Sequence, residues 1–159
     1  MVVTVFMLGL GVGSFAGGAL SQYARWPLPA VFAAAELAIG AFGLGSLALF
    51  HWVASATSGA TGLEVGLAAF ALLLVPTTCM GATLPVLVAY SVGRTLNVGR
   101  SVGALYFANT FGSAAGCVAA AVFIFEGLGQ HGAVQLAAGA NALAAACVLA
   151  TLLRGRSAS

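Results

Sequence analysis

Few side chains in this sequence of 159 residues can do chemistry, and the most informative is Glu36. It stands in an apolar run, roughly 12 Å in from the nearest basic segment if that run is helical. A carboxylate at such a depth costs a few kcal/mol to insert into hydrocarbon. It must be protonated, paired, or facing a wet cavity. Ser14, Thr83 and Asn109 fall at about the same depth in three other apolar runs, counted by the helical rise. These four residues make a candidate polar layer. Such a layer serves either as a small-molecule or proton site, or as a hydrogen-bonded network that sets helix register, and the second reading is favoured. An arginine reaching inward from a flanking loop is a further possible partner for Glu36.

Other reactive residue types are scattered. His51 and His131 are far apart, and neither has a nearby Cys, Asp or second His, so no metal site is expected. Cys79, Cys117 and Cys147 each sit inside an apolar run without a CxxC spacing, which favours small buried thiols over redox or metal chemistry. Aspartate is absent and no two carboxylates are neighbours, so catalysis by the protein's own groups is not expected. The GxGxG string at Gly9, Gly11 and Gly13 lacks the strand, turn and acidic residue of a nucleotide-binding unit. Gly9, Gly13 and Gly17 instead recur every four residues, as in close helix packing, and Gly112 and Gly116 repeat that spacing.

Composition sets the solvent for these residues. The chain is 62% hydrophobic and 5% charged, with a mean hydropathy of +1.11. An ordinary soluble domain is about one quarter charged. Five Arg and three Glu, with no Lys or Asp, cannot cover the surface of a soluble fold this size. The sequence therefore predicts an all-α polytopic membrane bundle forming a single domain over 1–159. Its spans are expected at about 2–22, 28–53, 63–92, 101–125 and 131–153. No charged residue precedes Arg25, so the opening run reads as a mature helix rather than a cleavable leader. Pro76 and Pro85 lie inside the long third run, which predicts a kink near Pro76 and a second irregularity near Pro85.

Orientation follows from charge. Arg25, Arg94, Arg100, Arg154 and Arg156 all fall on one face of five antiparallel spans, which places the N-terminus outside and the C-terminus inside. The expected location is a cell membrane, such as a bacterial inner membrane. Lipid and other membrane subunits are the expected partners. Nucleic acid is not, because no basic cluster exists.

Four segments carry a family likeness. They are Leu8-Gly-Leu-Gly-Val-Gly-Ser14, Ala35-Glu-Leu-Ala-Ile-Gly40, Leu74-Val-Pro-Thr-Thr-Cys-Met-Gly-Ala-Thr-Leu-Pro85 and Gly103-Ala-Leu-Tyr-Phe-Ala-Asn-Thr-Phe-Gly-Ser-Ala-Ala-Gly116. In this order they resemble the membrane domain of the fused major-facilitator/spermidine-synthase family. The resemblance implies a transporter-like half-bundle, with Glu36 and Asn109 on the family's matching Glu and Asn. It also implies that the chain opens at the family's second helix and lacks the soluble aminopropyltransferase-like domain. The expected role is a non-catalytic subunit of a larger membrane complex. The alternatives are a carrier of a small, polyamine-like cation and the membrane half of a split aminopropyltransferase. No intrinsic cofactor is expected; lipid, quinone or pigment would enter through such a complex.

Overall fold

The structure, a computed structural model, describes residues 2–23 and 25–156, the last three of these by their backbone alone. Those residues form helices α1 (Val2–Tyr23), α2 (Leu28–Ala56), α3 (Gly62–Thr95) and α4 (Val98–Ala119), a π-helical turn (Ala120–Ile124) and α5 (Phe125–Arg156). No strand occurs among the described residues. Four helical stretches are long and apolar enough to cross a membrane: α1, α2, α3 and the 56 residues from Val98 to Leu153.

That last stretch is not one straight rod. Gly129 has φ 64° and ψ −172°, a conformation open essentially to glycine alone. Gly116 and Ala140, on either side of it, line one cavity. A continuous helix would hold them about 36 Å apart. The chain therefore folds back at Gly129, and the break expected at 126–131 shrinks to this residue.

The other helix ends are set by local hydrogen bonds. Thr61 and Glu64 form a capping box, with the Glu64 carboxylate accepting from the Thr61 N–H at 2.8 Å. α3 ends on Leu96 at φ 53°, and Asn97 caps α4 by accepting from the Arg100 N–H at 2.9 Å. These caps reduce the expected 93–100 break to two residues, Leu96 and Asn97. Pro27 is the N-cap of α2, with Pro29 in the first turn, where no intrahelical N–H is needed. Within α3, the helix runs on through Pro76 and Pro85. Next to Pro76, the Thr77 hydroxyl donates to the Leu73 carbonyl at 2.8 Å and the Thr78 hydroxyl to Leu74 at 2.7 Å. Side-chain donors thus cover carbonyls beside the position where proline removes one.

α1 packs along α3, α3 also packs on α2 and α4, and α5 packs on α2 and on the π-helical turn. The α1–α3 seam is the tightest. Gly9, Gly13 and Gly17 are buried in it together with Val5. A Cβ at Gly9 would overlap the Thr77 side chain, and one at Gly13 would lie 2.9 Å from the Gly81 Cα. One at Gly17 would lie 2.7 Å from the Ala82 Cα. Gly112 and Gly116 behave differently: a Cβ at either meets nothing within 4 Å. α4 buries only Ser101, whose hydroxyl joins Thr95 at 2.7 Å and Ser91 at 3.1 Å.

Gly13→Val should lower stability by about 1–3 kcal/mol through overpacking. Gly11→Val, where a side chain meets open space, should cost within about 0.5 kcal/mol. Thermal unfolding of the two variants in one detergent measures the contrast.

Candidate functional site

A cavity of about 660 Å³ lies among the helices. Phe6, Leu10 and Ser14 of α1 line it, with Glu36 and Ile39 of α2 and Met80, Gly81, Thr83 and Leu84 of α3. Asn109 and Ser113 of α4 and Ala137 and Asn141 of α5 complete the wall. The four residues of the candidate polar layer, Ser14, Glu36, Thr83 and Asn109, thus face one space. Ser113 and Asn141 were missed. Ser113 follows Asn109 by one helical turn and so shares its face, a signal present in the sequence. Asn141 is a lone carboxamide in an apolar stretch, deeper along its helix than the others, so a search at one depth passes over it.

The hydrogen-bonding state of this lining is lopsided. The Ser14 hydroxyl donates to the Gly81 carbonyl at 3.1 Å, Thr83 to Met80 at 2.8 Å and Ser113 to Asn109 at 2.7 Å. Their protons are therefore used within the protein, and their oxygens remain as acceptors. The Glu36 carboxylate, half-buried, has no hydrogen bond or ion pair among the described residues. Only the carboxamides of Asn109 and Asn141 can bring donors to the cavity, and no basic residue lines it. An acceptor-rich wall with one unpaired carboxylate suits a ligand that is cationic and rich in N–H.

The cavity continues in two directions. Toward the start of α2, a lobe of about 210 Å³ is bounded by Phe32, Leu87 and Leu105 and shares Glu36, Thr83, Leu84 and Asn109 with the central cavity. Toward the end of α2, a lobe of about 240 Å³ reaches Ser46 and shares Ile39, Met80, Ala137 and Asn141. Polar groups thus concentrate in the middle, and both lobes are mainly apolar.

Several expected features lie elsewhere. No arginine among the described side chains pairs with Glu36. Arg94 instead donates to the Tyr90 hydroxyl at 2.8 Å, with its guanidinium 5.7 Å from the ring centre. Tyr90 in turn meets the Thr151 hydroxyl at 3.3 Å, tying the end of α3 to α5. The side chains of Arg154 and Arg156 lie outside the described residues. Among the described residues no three His, Cys, Asp or Glu side chains cluster as a metal site. The expectation of buried thiols is corrected: Cys79 is half-buried, and Cys117 and Cys147 are exposed. An apolar position on a membrane helix can face lipid as readily as protein, so an apolar run does not imply burial within the chain. A separate apolar cavity of about 540 Å³ lies between the π-helical turn and α5 and contains none of the polar layer.

Compared with known protein families, curated proteins and solved structures, the chain matches none.

A polar cavity of this size holds water. In a background with Cys79, Cys117 and Cys147 replaced, Ser113→Cys and Asn141→Cys should react with a small charged thiol reagent. Their rates should exceed that of Val12→Cys, on the open face of α1, by about tenfold or more, because the reacting thiolate needs a hydrated surrounding.

Proposed function

We propose that this protein is a five-crossing membrane bundle, N-terminus out and C-terminus in, that binds a small cation in its central cavity in the manner of a carrier. The observation that carries this reading is the unpaired Glu36 carboxylate, set among hydroxyl oxygens whose own protons are already committed. All five helices contribute to its surroundings. Water in the cavity solvates an ionised carboxylate only in part, and a closer partner stabilises its charge further. A cationic ligand is such a partner. The resemblance to a transporter-like membrane domain supports the same direction, as do lobes on both sides of Glu36.

The fold-back at Gly129 supports five crossings, because it divides the 56-residue apolar stretch into two arms, each long enough to cross about 30 Å of hydrocarbon. The arginine distribution supports the orientation. The setting is a cell membrane of the bacterial inner type.

A second reading is a non-catalytic subunit that packs against other membrane chains. Its support is α4, which buries only Ser101 and carries Phe107 at 69% exposure beside Gly112 and Gly116. Purification in mild detergent followed by mass spectrometry separates the two: defined partners in fixed ratio favour the subunit.

Glu36→Gln should weaken binding of a small organic cation to the purified protein by about 100-fold or more, because it removes the only charge among the described residues of the site. Unchanged binding defeats the carrier reading. For topology, Ser58→Cys should be labelled by an impermeant reagent in intact cells, and Asn97→Cys only after permeabilisation. The reverse pattern would invert the orientation.

A further inference from the structure

Among the described residues, Glu36 is the one ionisable residue lining the central cavity and its two lobes. No ionisable side chain among the described residues of the neighbouring helices joins it. Cys79, Tyr90 and Arg94 of α3, Arg100 and Tyr106 of α4, and Cys147 of α5 are all absent from these walls. A ligand bound here therefore meets a single negative charge. A diamine or polyamine would place its second ammonium in a lobe whose described lining offers no second negative charge.

The lobe toward Ser46 sharpens the picture. It extends the space about 10 Å along α2 beyond Ile39. The Ser46 hydroxyl is held by its own helix, donating to the Gly43 carbonyl at 2.6 Å. Asn141 stands at the shared wall, where the lobe meets the polar centre. Gly43 and Ala137 add little bulk to its wall, and a Cβ at Gly43 meets open space, whereas Gly40 packs closely against Ala138. The lobe toward Phe32, at about 210 Å³, is somewhat smaller than the 240 Å³ toward Ser46 and is walled by Phe32, Leu84, Leu87 and Leu105.

We infer that the ligand is a singly charged amine bearing an apolar chain, with its ammonium on Glu36 and its chain in the lobe between Gly43 and Ala137. This rests on the cation-binding reading above and narrows it away from the polyamine-like substrate that family likeness suggests. The ammonium donates to the carboxylate and to the free lone pairs of the surrounding hydroxyls. The chain replaces water along apolar walls.

Hexylamine and hexamethylenediamine, equal in carbon count and different by one charge, test it. Binding of the radiolabelled amines to the purified protein is measured by scintillation proximity, and Glu36→Gln supplies the blank for partition into detergent. Hexylamine should bind saturably above that blank, and hexamethylenediamine about 100-fold more weakly, the penalty of an unpaired buried charge. Equal or tighter binding of the diamine overturns the inference and leaves cation binding intact. If neither amine binds above the blank, the cation-binding reading itself fails. A Cβ at Gly43 meets open space, so Gly43→Leu fills the lobe without displacing backbone. It should weaken hexylamine at least about tenfold and leave ethylamine unchanged. Unchanged hexylamine binding in that variant overturns the placement of the chain.

Discussion

Hydrocarbon offers no partner for a backbone N–H or C=O, so a chain this apolar must satisfy its own main chain almost residue by residue. The architecture follows from that constraint. Helices run nearly to the edges of the apolar stretches, and the breaks at 96–97 and at Gly129 are one or two residues long. Thr61 with Glu64 and Asn97 with Arg100 bind the first N–H groups of α3 and α4. Near Pro76, where a donor is lost, threonine hydroxyls bind the adjacent carbonyls. At Gly129, one residue outside the helical region is enough to turn the chain back.

The same constraint explains how the helices associate. Burying Leu against lipid gains about as much as burying it against another helix, so association depends on close approach and on polar contacts. The α1–α3 seam uses both. Gly13 and Gly17 bring backbone against backbone, and the Ser14 hydroxyl crosses to the Gly81 carbonyl. The α3–α4 turn uses a knot of hydroxyls from Ser91, Thr95 and Ser101. Where neither device exists, as along most of α4, the helix has little buried surface within the chain.

The carboxylate of Glu36 stands against this economy. Every hydroxyl near it has spent its proton on a carbonyl, which satisfies the backbone and leaves the cavity with acceptors. The arrangement leaves the Glu36 carboxylate without a partner among the described residues.

By itself, the sequence determined the helical class, the apolar length of the helices, their approximate limits and where along each helix a polar residue falls. Hydropathy and helical rise require nothing more than chain order. The grouping of Ser14, Glu36, Thr83 and Asn109 was legible because distance to the nearest break is a one-dimensional property. The faces were not legible. In a soluble helix, the apolar stripe marks the side that is buried; here, lipid and protein are equally apolar and no stripe exists. Only the tertiary structure decided that Gly9, Gly13 and Gly17 meet a neighbour while Gly112 and Gly116 do not. It likewise decided that Cys117 and Cys147 lie on the outside, and that Asn141 joins Glu36 around one cavity. Rotation about the helix axis is fixed by which side chains interlock, and that information is held between segments rather than within any one of them.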